Sequence, residues 1–294
     1  DGGRAAPRRA PVDLCRTVTL APSLSYADAL RALEGALRAL RDGGEEGAGG
    51  CDAPDSPAAR MASAAAAASR APSGIVRVEA PLPAGFDALR WLEALPALRS
   101  APAWEEDAAS SDRARSEASD LAPRVYFSPR ASRTEPAAFS SARAGGAGWG
   151  VHGAVGACGA AALWTADGDF DEDAAAAVGA WLSDRSPRVR ALGCTRFDAG
   201  TAPAPEWARF GGYYFVVPSV ELRECAGATL LTLTVAWDGV PHGGGIARAM
   251  GAEQCLLAAT ARAAAALSAV AAAGAEQPRA SAGAPSRAAA QPEG

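Results

Sequence analysis

The run WARFGGYYFVVPSVELRE, from Trp207 to Glu224, and the LLTLTVAW that follows it constrain this chain more than any other feature. Tyr213, Phe215 and Val217 alternate with Tyr214 and Val216. Val220 and Leu222 continue the pattern with Glu221 and Arg223 opposite. After the turn ECAGAT, Leu231, Leu233, Val235 and Trp237 share one face. A period of two is strand geometry and does not fit a helix stripe. The two runs predict a β-hairpin or meander, half buried and half polar. Pro218 lacks an N–H for the ladder, which predicts a bulge or an edge position there.

Such a sheet needs large apolar side chains, and this chain has few. Apolar residues make up 49%, but much of that is alanine, which buries little area. All 28 basic residues are arginine; there is no lysine and no asparagine. The chain therefore has no amine side chain for a Schiff base or a lysine general base, and no N-glycosylation acceptor. The net charge of −5, with arginines scattered among acids, gives no basic face for nucleic acid. The alanine-rich segment 255–273, interrupted by Arg262, reads as a helix of a folded domain, so no membrane span is expected and the chain reads as soluble. Cys15, Cys51, Cys158, Cys194, Cys225 and Cys255 include no CxxC pair and read as reduced, mostly buried thiols.

Along the chain, residues 1–11 read as a flexible terminus or the tail of a transit peptide. Residues 12–42 open the domain with a strand, Val18 and Leu20 on one face, and a helix capped at Ser25 with Asp28 in the reciprocal position. Leu30, Leu33, Leu37 and Leu40 give that helix its buried stripe. Residues 43–73 are Gly, Ala, Ser, Pro and Asp, and read as a disordered insert. Residues 74–130 continue the domain with a strand at GIVRVEAPLP, a helix burying Phe86, Leu89, Trp91, Leu92 and Leu95, and a strand at PRVYFSPR. A flexible insert is expected over 131–147 and a disordered tail or linker over 273–294. Between them, 148–272 carries a strand of small residues, a helix from Phe170 to Leu182 capped by Asp169 or Asp171, a strand from Val189 to Phe197, the hairpin, and a final helix over 246–272.

Three motifs invite functional readings. GWGVHG, 148–153, matches GxGxxG, but no strand precedes it and no helix opens on it; close packing of a glycine-rich strand explains it better. DGDFDED, 167–173, resembles the start of a calcium loop, but Glu172 and Val178 stand where an EF-hand needs Gly and Glu. His152 and His242 lack partners at ligand spacing. No catalytic, cofactor-binding or metal residue is assigned.

Taken in order, PRVYFSPR, VHGAVGACGAAALW, SPRVRALGCTRFD, EWARFGGYYFVVPSVELRE and LLTLTVAWD resemble the N-terminal half of plant-type isochorismate synthases and the first module of the PHYLLO fusion proteins of plants and algae. CRTVTLAPSLSYADALRALEGAL and VRVEAPLPAGFDALRWLEAL fit the same pattern. RALGCTRFD and WARFGGYYFVVPSVELRE are the most specific pieces, and the match runs over residues 12–270 apart from the inserts. The resemblance implies an α+β chain, part of the chorismate-utilising-enzyme fold, with a mainly antiparallel sheet, flanking helices and disordered inserts. It also implies a plastid location and a role toward phylloquinone, menaquinone or salicylate. The family reaction converts chorismate to isochorismate with a lysine as base, a glutamate as acid and Mg²⁺ held by glutamates, all in the C-terminal half. By that resemblance this chain carries no cofactor and no catalytic residue, and is inactive alone. Its partners would be the missing chorismate-binding half or downstream fused quinone-pathway modules. Alternatives are a non-catalytic structural or interaction module of a PHYLLO-type protein and an unrelated small-molecule-binding domain. Half a sheet system would leave an exposed edge and only marginal stability.

Overall fold

The computed structural model describes residues 11–43, 55–95, 123–128, 153–198, 201, 211–225, 227–239 and 255–274. Strand β1 (Leu14–Thr19) leads into helices α1 (Tyr26–Arg41) and α2 (Pro57–Ala68), then β2 (Ser73–Pro83) and α3 (Ala88–Ala94). Strands β3 (Arg124–Phe127) and β4 (Val155–Ala166) are followed by α4 (Glu172–Gly179), β5 (Leu192–Thr195), β6 (Tyr213–Cys225), β7 (Ala228–Asp238) and α5 (Leu256–Gly274). The seven strands form one sheet in the order β1-β2-β7-β6-β4-β3, with β5 paired to β6. Every pairing is antiparallel except β1 with β2, so the chain is α+β with a mainly antiparallel sheet.

The alternation in β6 and β7 sets two faces. Val220, Leu222, Leu231, Leu233, Val235 and Trp237 join Val76, Val78, Ala80 and Leu82 of β2 in the main core. Helices α1, α2, α3 and α5 supply the other side of it. In α1, Leu30, Leu33, Leu37 and Leu40 are buried as their spacing predicts. Ser25 caps α1 by accepting the Asp28 N–H at 3.1 Å, and the Asp28 carboxylate accepts from the Ser25 hydroxyl at 2.7 Å. In α3, Trp91 and Leu92 face the core and Leu89 is exposed, contrary to expectation, because this two-turn helix presents only one narrow side to the sheet. Helix α5 is long and apolar enough to cross a membrane by length and composition. Here Ala259, Ala263, Ala266, Leu267 and Val270 are buried, and the helix packs on α1 and β7.

Helix α2 overturns part of the disordered insert expected over 43–73. Its buried residues Met61, Ala64, Ala65 and Ala68 fall at i, i+3, i+4 and i+7. Alanine has the highest helix propensity, and Ser56 caps the first turn by accepting the Ala59 N–H. An alanine stripe reads as low complexity because it carries little hydrophobicity, but it lets α2 sit close against α1 and β1.

Pro218 lies inside β6, opposite Ala160, and the irregularity is on the partner strand, between Ala160 and Ala162 of β4. Beside Pro218 the sheet divides: residues 213–216 of β6 pair with β5 and residues 220–225 pair with β7. Pro218 thus falls between two neighbours, where neither β5 nor β7 asks for its missing N–H. The bulge also switches faces. Before it, Cys158 points into the main core; after it, Ala162 and Trp164 point to the other side. Gly159, at φ +67, supplies the left-handed residue that this irregularity needs.

Candidate functional site

The hairpin reads in sequence as half buried and half polar, but its polar face does not lie open. It is covered instead. Tyr213, Val217, Ala236, Ile75, Ala162 and Trp164 form a second core with Val178 of α4, Trp181 and Val189. The segment after α4 then crosses the polar half of this face. Ser186 Oγ donates to the Cys15 carbonyl at 3.2 Å, and Arg188 reaches Glu79 at 2.8 Å and Thr19 at 3.4 Å.

Under that segment lies a buried ion cluster. Register places Glu79 of β2, Thr232 of β7 and Glu221 of β6 in one row across three strands. Two strand spacings put the glutamate backbones roughly 10 Å apart. Arg77 closes that gap. Its Nε donates to Glu79 Oε1 at 3.0 Å, and its two terminal nitrogens make a fork on Glu221 at 3.0 and 3.1 Å. Arg223 Nε donates to Glu221 Oε1 at 2.8 Å. Thr19 Oγ1 donates to Glu79 Oε2 at 3.1 Å. Arg77, Glu79 and Glu221 are at most 2% exposed, and Arg223 is 8% exposed.

The charges hold one another. Burial alone would raise the Glu221 carboxyl, but Arg77 and then Arg223 hold it down to about 2. Burial opposes the charge on Arg77 as well, and Glu221 and Glu79 raise its pKa above the usual arginine value. Arg190, half-buried at the edge of the cluster, is lowered by burial and then by the guanidinium groups of Arg223 and Arg77, with Glu221 acting the other way. Burial also raises the thiol of Cys225, two residues beyond Arg223 on the same strand.

The motifs resolve as follows. Gly153, the last residue of GWGVHG, lies where a Cβ would meet the Glu224 carbonyl oxygen at 1.5 Å, which fits the close-packing reading; residues 148–152 lie outside the described residues. In DGDFDED, Asp171 caps α4 by accepting the Ala174 N–H at 2.8 Å, and Glu172 and Asp173 occupy its first turn. His152, His242 and Cys51 also lie outside the described residues. Of the other cysteines, only Cys158 is buried, its thiol pushed up to about 12 by burial; Cys15 and Cys225 are half-buried and Cys194 and Cys255 exposed, so the thiols are not mostly buried. Among the described residues no three His, Cys, Asp or Glu side chains gather as a metal site. Glu79 and Glu221 are each claimed by arginine, so they offer a magnesium ion no free pair of carboxylates, and no step is derived through one.

Sequence reading missed the cluster because alternation in β2 and β6 marks Arg77, Glu79, Glu221 and Arg223 as sharing faces without saying that a cover lies over them. The one available signal was a strand with charge at every second position on both sides of the sheet centre.

No family model matches the chain. It is 33% identical over 183 residues, 57% of its length, to "Isochorismate synthase, chloroplastic" of Catharanthus roseus, and covers 28% of that protein. It is 33% identical over 171 residues, 56% of its length, to "Isochorismate synthase 2, chloroplastic" of Arabidopsis thaliana, and covers 26% of it. The chain spans little more than a quarter of these curated relatives, and over that part it is similar to these two chloroplastic isochorismate synthases.

Proposed function

We propose that this chain is the N-terminal portion of an isochorismate synthase-like plastid protein, and that by itself it does not convert chorismate to isochorismate. The similarity to the two plant enzymes carries the reading. The reaction needs a base toward water, and this sequence has no lysine to serve. Of the buried glutamates, Glu79 is ion-paired to Arg77 and Arg188, and Glu221 is held at about 2 by Arg77 and Arg223 despite its burial, well below the pKa of a proton donor at neutral pH. We place the chemistry in the part of the relatives that the chain does not span, and give this part the role of scaffold: a sheet with four helices on one side and, on the other, α4 and an ion-locked cover.

Two measurements test this. The purified chain, given chorismate and Mg²⁺, is expected to form no isochorismate above the enzyme-free control; turnover would overturn its inactivity. A chimera in which residues 12–270 replace the matching segment of the Catharanthus roseus enzyme is expected to fold and to make isochorismate. A folded chimera without activity would count against the relationship as a functional one.

A further inference from the structure

Helix α5 carries two apolar faces and is covered on one of them. Its buried residues Ala259, Ala263, Ala266 and Val270 recur at i, i+4, i+7 and i+11, and the helix packs on α1 and β7. On the opposite face Leu257, Ala261, Ala264 and Ser268 repeat the same spacing and are exposed, Leu257 by 64%. Only 33% of the apolar stretch Leu256–Ala273 is buried. A helix with two apolar faces belongs between two partners, and this heptad spacing is the seam by which one helix lies on another.

The outer seam and α1 enclose a groove of about 370 Å³, with Leu37 and Leu267 among its lining and Glu34, Arg38 and Arg41 on its α1 side. Arg41 is held by Asp42. Glu34 and Arg38, both exposed, make no hydrogen bond or ion pair among the described residues. Between them in sequence, Gly35 has nothing within 4 Å of the place a Cβ would take. A glycine inside a helix weakens it, and no neighbour among the described residues needs the room.

We propose that this groove is an interface between two copies of the chain, packed antiparallel about a twofold axis. Such an interface must be complementary to itself, and the pattern here is. An axis crossing α1 at Ala36 and α5 between Arg262 and Ala263 sets Glu34 of each copy opposite Arg38 of the other. The same axis sets Leu257 opposite Ser268 and Ala261 opposite Ala264. Each unanswered charge then meets its opposite, each exposed leucine covers the seam of the other copy, and Gly35 lets the two α1 helices draw close. The surface stands on these side chains and is independent of isochorismate chemistry.

Sedimentation velocity of the full 294-residue chain over a concentration series tests this. A discrete monomer–dimer equilibrium is expected. Leu257→Glu, at an exposed position, is expected to weaken the dimer by about tenfold or more without lowering the melting temperature of the dilute chain. Glu34→Arg sets like charges opposite each other twice and is expected to weaken it by about tenfold; adding Arg38→Glu to that variant is expected to restore it. Gly35→Gln is expected to raise the melting temperature of the dilute chain and yet weaken the dimer, opposite signs that a glycine serving only the monomer would not give. Phe127→Lys alters the sheet edge instead and is expected to keep this dimer. A chain that stays monomeric throughout, or a dimer indifferent to Leu257→Glu and to the charge exchange, would overturn the interface. A monomer that binds phosphatidylcholine vesicles, and loses them in Leu257→Glu, would overturn it too and give the face to a lipid surface.

Discussion

Glu221 shows how one residue ties three strands and a crossing segment together. It accepts from Arg77 on β2 and Arg223 on its own strand, and its row on the sheet continues through Thr232 to Glu79, which holds Arg188. Removing one partner from such a network leaves buried charge unanswered, which costs about 3–5 kcal/mol. Glu221→Gln is therefore expected to lower the unfolding free energy by that much at neutral pH, read as a lower urea midpoint with little change in slope. The pH dependence follows from the same pairing. The folded carboxyl titrates at about 2, below its ordinary value of 4.5. Its contribution is complete above about pH 4.5 and is lost as pH falls toward 2, on the order of 3 kcal/mol. Glu221→Gln is expected to flatten that acid limb in denaturation profiles between pH 5 and 2; an unchanged limb would show that other carboxylates govern it.

At the scale of elements, close approach decides more than hydrophobicity. The N-terminus of α3 sits on β4 at Gly156, where a Cβ would meet the Ala88 carbonyl oxygen at 2.4 Å and the Trp91 ring at 3.1 Å. Glu224 of β6 fixes that contact by accepting the Ala88 N–H at 2.8 Å. Gly156→Ala is expected to cost about 1–3 kcal/mol, read by chemical denaturation, since the backbone oxygen cannot move aside cheaply. Helix α2 makes the same point with alanine. Ala64 and Ala65 are fully buried, and Ala64→Leu is expected to destabilise by about 1–3 kcal/mol although it adds apolar surface. Ser56→Ala is expected to cost about 1 kcal/mol through the lost cap. If α2 were only a tethered helix, both changes would leave the midpoint where it was.

For the whole molecule, the sheet ends matter. Among the described residues strand β3 forms one edge, with Tyr126 42% and Phe127 52% exposed, an apolar rim of the kind that pairs with other chains. Phe127→Lys is expected to change stability by less than about 0.5 kcal/mol and to reduce concentration-dependent association seen by light scattering. Unaltered association would place the sticky surface elsewhere.

The sequence by itself determined the elements whose signals are local. The leucine stripe and Ser25 define α1, Asp171 starts α4, and alternation from Tyr213 to Trp237 sets β6 and β7 with their apolar side correctly chosen. It also determined that no lysine chemistry is possible here. Tertiary structure decided what covers each face. Period reports which side chains point the same way, but burial depends on segments far along the chain, such as Arg188 on Thr19, 169 residues away. For that reason the polar side of the hairpin became a buried ion cluster, an alanine run became a packed helix, and the irregularity expected at Pro218 settled on the strand beside it.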